Sequence, residues 1–372
     1  MQAWIVVNKG RVATNRSVAS VLLVAFCAMV ATWSGTAVIA ADYSSRAGTV
    51  LGTYHPAPSD RSPQTMASVA TRFLDSLNAT QKRAVQYDVD HSERRRWTNS
   101  PVRGRAGGVA LGDLDDAQLR AFSDLLASLL GAKGYAKVLD VMLGDDLRAI
   151  IDGEPNEGVG IEAFRFAVFG DPSTETRWAV QLDGHHIALN VTLDGDAYSL
   201  SPSFIGTYPQ VFVVAGEEIR PLGAEIDLAH DLVVSLSPEQ RALAVIAEKR
   251  GALRIGPGQD GVVPKPVGIP VGLLTDAQRE LLFAIASLWF DVMPPAHAQT
   301  YKERFLDGID ETRFAWSGPL EAGSDVSWAI QGPSTVIEYA NDARGGADDG
   351  NPADHVHTVY RDLDRDYGSP QL

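Results

Sequence analysis

The sequence predicts an α+β protein, with helices packed over an antiparallel sheet, and three observations carry that prediction. Four segments share one opening: LNATQKRA from Leu77, LDDAQLRA from Leu114, LSPEQRAL from Leu236 and LTDAQREL from Leu274. Each sets an N-cap residue right after the leucine and a glutamine three positions later, a helix start signal. A strand-like stretch follows each pair of these helices, WAVQLDGHHIALNV from Trp178 and WAIQGPSTVIEYA from Trp328. Finally, the 372 residues are 45% hydrophobic and 21% charged, which is enough apolar content for a sizeable core. That balance excludes wholesale disorder, a collagen-like repeat and a multi-span membrane protein.

Taken in order, residues 1–16 carry Lys9, Arg11 and Arg16 and no acid, and an apolar run follows from Val18 to Trp33. Small residues then lead to Ala40 and Ala41. This is the three-part pattern of an export signal over residues 1–40, with cleavage expected after Ala40; an uncleaved N-terminal anchor is the alternative. The expected compartment is periplasmic or extracellular, and no membrane contact is expected beyond this signal. Cys27 is the only cysteine and lies inside the run, so the exported chain would have no disulfide, thiolate ligand or cysteine nucleophile. Residues 41–64, with Pro56, Pro58 and Pro63, read as a linker.

Residues 65–372 read as one α+β domain made of two similar halves, about 65–215 and 216–372. Leu77 and Leu114 are 37 residues apart and Leu236 and Leu274 are 38 apart, with the pairs offset by 159 and 160 residues. The two Trp-Ala-x-Gln strands are offset by 150. Such matched spacing implies an internally duplicated helix-pair plus β-hairpin unit. The second helix shows Leu119, Phe122, Leu125, Leu126, Leu129 and Leu130 at helical period; the fourth shows Leu281, Leu282, Ile285, Leu288 and Trp289. Further helix is expected over 135–151 and 296–307. Strands are expected at 164–169, 178–182, 185–193, 314–317, 326–331, 334–340 and 355–361. Asp183-Gly184 is a two-residue turn signal, and Gly332-Pro333 takes the same place in the second half.

Chemistry-bearing residues gather at the hairpins. Of eight histidines, His185 and His186 follow the first turn, while His355 and His357 stand in DHVHTVYRD. Alternate strand residues share a face, so His355 and His357 form a two-point metal clamp, joined by one of His185 and His186. Glu338 sits in an otherwise apolar strand and needs a partner, either the site itself, as ligand or general base, or a cation such as Arg361 or Arg344. Asp354 or Asn190 is positioned to orient a histidine ring. Such a donor set suits a divalent transition metal (zinc, copper or iron), and the same residues without metal would line a polar small-molecule pocket. Purely structural roles are the bland alternative. The loop 341–354 is Gly- and Asp-rich but lacks EF-hand spacing. Asp183 and Glu338 as a glycosidase pair, and Trp178, Trp316 and Trp328 as a sugar platform, are weaker readings; Trp at strand starts belongs more often to a core.

Charge narrows the partners. The chain carries 32 Lys plus Arg against 47 Asp plus Glu, a net −15, and removal of the leader's three cations deepens this. Such a surface repels polyphosphate, so nucleic acid is not an expected partner, and the basic HSERRRW at 91–97 is expected to pair within the fold or hold a small anion.

WAVQLDGHHIALNVT, SPSFIGTYP, WAIQGPSTVIEYA and DHVHTVYRDLDRDYG together resemble a secreted bacterial family catalogued as domain of unknown function 3500. The resemblance runs from about residue 65 to the C-terminus. It marks Gly184, His185, His186, Glu338, His355, His357 and Arg361 as characteristic, and implies export but no particular activity. Two functions follow as expectations. The first is a metal-dependent enzyme, most simply a hydrolase; the alternative is a non-catalytic periplasmic protein binding metal or a small ligand.

Overall fold

The computed structural model describes residues 45–101, 107–151, 158–214, 216–342 and 354–368, with the backbone of short strands at 31–33, 36–38 and 40–41. Apart from those strands, the expected leader lies outside the described residues, as do Arg344 and most of the 341–354 loop. Among the described residues no helix is long and apolar enough to cross a membrane.

Four capping boxes start four helices where the leucine–glutamine pattern predicts them. They are α3 (Ala79–Val85), α4 (Asp116–Leu129), α7 (Pro238–Ala244) and α8 (Asp276–Phe290), capped by Asn78, Asp115, Ser237 and Thr275. In each, the glutamine side chain accepts from the cap residue's own N–H while the cap accepts from the glutamine's N–H. The glutamines also join in pairs. Gln81 and Gln118 exchange amide hydrogen bonds at 3.0 Å, and Gln240 and Gln278 do so at 2.9 and 3.1 Å. This pairing is the physical reason for the repeated spacing: one amide pair, buried in the first case and part-buried in the second, joins two helix N-termini. The remaining helices are α1 (Arg46–Thr53), α2 (Pro63–Ser76), α5 (Ala132–Ile151), α6 (Gly223–Ser235) and α9 (Pro295–Asp307). Helix α1 corrects the linker reading of residues 41–64. Ser45 caps it and Ala47, Val50 and Leu51 bury one face, a stripe too short to stand out between prolines and polar residues.

The strands of the main path are β1 (Gln86–Tyr87), β2 (Arg165–Phe169), β3 (Trp178–Gly184), β4 (Ile187–Asp194), β5 (Ser203–Thr207), β6 (Val245–Ala247), β7 (Arg313–Ser317), β8 (Ser327–Gln331), β9 (Thr335–Asp342) and β10 (His355–Asp362). They form one mixed sheet in the order β6-β7-β8-β9-β10-β5-β4-β3-β2-β1, and the architecture is α+β. The outermost pairs, β1 with β2 and β6 with β7, are parallel; the others are antiparallel. Strand β5 is absent from the sequence expectation, because its SFIGT is too short and too broken by small residues to show alternation. It is nonetheless the centre of the sheet, joining β4 to β10.

Both faces of the central strands are covered, which is why they read as nearly continuous apolar runs. On β10, Val356 and Tyr360 face the helices and belong to the main core, and Thr358 accepts a 3.0 Å hydrogen bond from Trp289 Nε1. His355, His357, Val359 and Arg361 alternate onto the other face. There Val359 packs with Trp97, Ala188, Phe204, Ile255 and Val336 in a smaller core. Trp178, Trp316 and Trp328 are buried in the main core, so they build no sugar platform. Within the 91–97 cluster, Arg94 is taken into the fold while Arg95 and Arg96 stay exposed. Buried Arg94 donates to Val89 O, Thr192 Oγ1 and Tyr367 O, while Arg96 pairs with Glu93 at 3.1 Å.

Candidate metal centre

The β3–β4 hairpin turns two residues later than its Asp-Gly signal. Asp183 and Gly184 remain in β3, paired with Ala188 and Ile187, and His185-His186 are the turn itself. A bare Gly184 is required because the Phe164 ring lies 2.3 Å from where its Cβ would stand. His186 takes φ +68°, a left-handed conformation that asparagine and glycine adopt far more readily than most side chains. Both of its backbone groups are fixed: its N–H donates to Asn99 O at 2.9 Å and its carbonyl accepts from Gly206 N–H at 2.6 Å.

Of the two turn histidines, His186 is the one grouped with His355 and His357, and His185 lies beside it. In a turn the two rings need not diverge, and here their centroids lie 3.7 Å apart at 31°. His355 and His357 share a face of β10 as expected, with centroids 4.2 Å apart. His186 Nε2 lies 2.8 Å from His355 Nε2, and the His186 ring is 5.4 Å from that of His357. His186, His355 and His357 thus form one group of donors able to hold a cation. Two nitrogens bound tetrahedrally to one zinc at 2.0–2.1 Å lie about 3.3 Å apart, so a small opening of the His186–His355 contact admits an ion. Gly206 makes the approach possible: a Cβ there would meet His357 Cδ2 at 2.6 Å and His186 Cδ2 at 3.0 Å.

A second group shares His186. Asp145, near the middle of α5, contacts His185 Nδ1 through Oδ1 at 2.5 Å and lies 3.8 Å from His186 Nδ1. Its other oxygen accepts from Gly160 N–H at 2.8 Å. Asp145, His185 and His186 are also within reach of a single ion. The sequence reading passes over Asp145. Its signal is the adjacent acidic pair Asp145-Asp146 inside the apolar helix VLDVMLGDDLRAII, where buried carboxylates demand partners. Asp146 finds its own in Ser45 and Ile161 N–H. Beyond the histidines, the Arg148 guanidinium stacks 3.9 Å over the Tyr208 ring, whose edge packs against His355.

Burial, and then the neighbouring His185, His357, His355 and Arg148, hold the His186 imidazole well below its ordinary pKa. The neutral ring offers an uncharged nitrogen, the form a metal requires.

The other expected site residues belong to neither donor group. The Glu338 carboxylate accepts from Arg254 N–H and from Arg254 Nε, each at 2.6 Å, and belongs to neither donor group. Its row on the sheet is that of Val359, two residues along β10 from His357. Arg361 is fully buried against Asp366 and Gln259 O rather than Glu338. Asn190 accepts from Gln181 Nε2 and donates to Pro202 O, both at 2.7 Å, which ties it to the strands rather than to a histidine. Asp354, next to His355, accepts from Gln210 N–H at 2.8 Å. Asp183 lies at the β3 end and Glu338 on Arg254, so the two form no acid pair across a cleft.

The fold and the site define an α+β protein with a buried histidine cluster where a turn of the first half meets a strand of the second. The chain belongs to the family described as protein of unknown function (DUF3500), which matches residues 59–369. No curated protein and no solved structure matches it.

Proposed function

We propose that this is an exported metalloprotein whose cation is held by His186, His355 and His357, and that it acts as a metal-dependent hydrolase. The observation that carries this reading is the convergence of three imidazoles on one point, with the Nε2 atoms of His186 and His355 at 2.8 Å. Three neutral nitrogens suit zinc, copper or iron, and an ion so held lowers the pKa of a bound water enough to make it a nucleophile near neutral pH. The positively charged, acid-free N-terminal segment followed by an apolar run supports export. The matching capping boxes, glutamine pairs and mirrored strand order support descent from a duplicated unit. The two copies then contribute differently: the first supplies the His185-His186 turn, where the corresponding turn of the second holds Gly332, Pro333 and Ser334, and the second supplies His355 and His357.

A second reading, a non-catalytic metal or small-ligand carrier, draws support from burial. His186 and His355 are 1% and 5% exposed, and a closed coordination shell marks structural or storage sites. The test is elemental mass spectrometry of untagged protein and of a His355→Ala/His357→Ala variant. About one equivalent or more of a transition metal in the parent and at least one equivalent less in the variant supports the centre. No metal in either, even after zinc or copper is added, overturns it. Retained exchange of a water ligand on the bound ion separates the hydrolase from the carrier.

A further inference from the structure

The two donor groups share one residue, and they use opposite ends of its ring. His186 directs Nε2 toward His355 and Nδ1 toward Asp145. Resting on the metal-centre reading, we infer that the site takes two cations, with the His186 imidazole bridging them. The inner seat comprises His186 Nε2, His355 and His357; the outer comprises His186 Nδ1, His185 and Asp145.

The support is geometric. Each group by itself places three donor atoms within 4.8 Å of one another. In each, one pair is in direct contact, at 2.8 Å in the inner group and 2.5 Å in the outer. Two donors on one ion would stand somewhat further apart, so the same modest opening serves both seats. The bridging ring also stands on a fixed backbone. Its residue is pinned by backbone hydrogen bonds to Asn99 and Gly206, and it keeps a φ of +68° that a glycine would hold with less strain. That conformation is what lets one ring meet a helix on one side and a strand from the other half on the other. The seats differ in chemistry. The inner is all nitrogen and nearly buried; the outer includes a carboxylate oxygen and the partly exposed His185, and so favours a harder or more exchangeable ion. When both seats fill, the one ring proton of neutral His186 leaves to solvent.

Copper(II) tests this, because two copper ions on one imidazole ring couple their spins. The full-length protein is loaded with excess copper, desalted and analysed for copper content and electron paramagnetic resonance intensity. The expected result is two copper ions per chain with spin intensity well below two equivalents. Asp145→Asn should reduce the content to one and restore a full single-copper signal, and His357→Ala should also leave one. His186→Asn, which keeps a residue tolerant of the turn conformation, should bring copper below one and abolish coupling. One copper per chain at full spin intensity in the parent overturns the second seat and leaves the single centre standing. Two coppers with two full spins overturn the bridge. No bound copper or zinc at all overturns the centre itself, and this inference with it.

Discussion

The Nε2 atoms of His186 and His355 lie 2.8 Å apart although 169 positions separate the residues. They meet because β5 stands between their strands: Ile205 pairs with Ile187 on one side, and Gly206 pairs with His357 on the other. The centre therefore exists only when the two halves of the sheet are joined, and its geometry depends on the short strand that joins them.

Gly206→Ala tests that dependence. The added methyl would press on His357 Cδ2 at 2.6 Å, on Val356 O at 2.8 Å and on His186 Cδ2 at 3.0 Å. One neighbour is backbone in the central pair and cannot swing away. Overpacking of this kind costs about 1–3 kcal/mol. The variant is expected to unfold at lower urea concentration by that amount and to bind zinc at least tenfold more weakly, as calorimetric titration would show. Unchanged zinc affinity would mean that the rings do not depend on this approach.

Glu338→Gln separates the fold from the site. The carboxylate is buried and satisfied by Arg254, so neutralising it leaves a guanidinium without its counter-charge. Arg254 is partly exposed and regains some hydration, so a loss of about 1–3 kcal/mol is expected in chemical denaturation. Metal content should not change. A variant that keeps its stability but loses its metal would return Glu338 to the centre.

Much of the fold was legible because its signals are local. The capping boxes at Asn78, Asp115, Ser237 and Thr275 each lie within four residues, and β3, β4, β9 and β10 carry long apolar runs. The site was half legible. His185, His186, His355 and His357 stand out as residue types, but the turn lies two residues beyond Asp183-Gly184, the stronger dipeptide signal. The Phe164 ring, which fills the space beside Gly184, is a tertiary contact that no local pattern reports. Asp145 was missed for the same reason: its role comes from α5 crossing the end of a hairpin forty positions away. Glu338 was misassigned because Arg254, its partner, lies in a segment with no periodicity to place it.

Asp140 on α5 should oppose folding at neutral pH. Desolvation raises its carboxyl to about 6. The ordinary value is near 3.8, so between about pH 4 and 6 the folded chain binds a proton the unfolded chain does not. Stability from this residue therefore falls as pH rises through that window and stays low above it. Asp140→Asn should stabilise the protein at pH 7.5 by about 1–2 kcal/mol, a figure discounted for partial exposure, and by much less at pH 4. Equal effects at both pH values would locate the gain in packing or helix propensity instead.

His186 has the opposite slope in the metal-free protein. Its folded pKa is depressed by burial first and by the neighbouring His185, His357, His355 and Arg148 second. The unfolded residue titrates near 6.5, so below that pH the unfolded chain takes up a proton that the folded chain refuses. The contribution is present in full above about pH 6.5 and is lost as pH falls, by up to about 1.4 kcal/mol for each pH unit. His186→Asn removes the titration while keeping a residue suited to φ +68°. In chelator-treated protein, the melting temperature of the variant should therefore fall less steeply than that of the parent between pH 6.5 and 5. The test is best made in an Asp140→Asn background, where the opposing slope in the same window is absent. Loading with zinc should steepen the acid loss in the parent, because protons then compete with the ion for the same ring, and should leave His186→Asn nearly unaffected. Parallel melting curves for parent and variant, with and without zinc, would show that the ring is neither buried neutral nor a ligand.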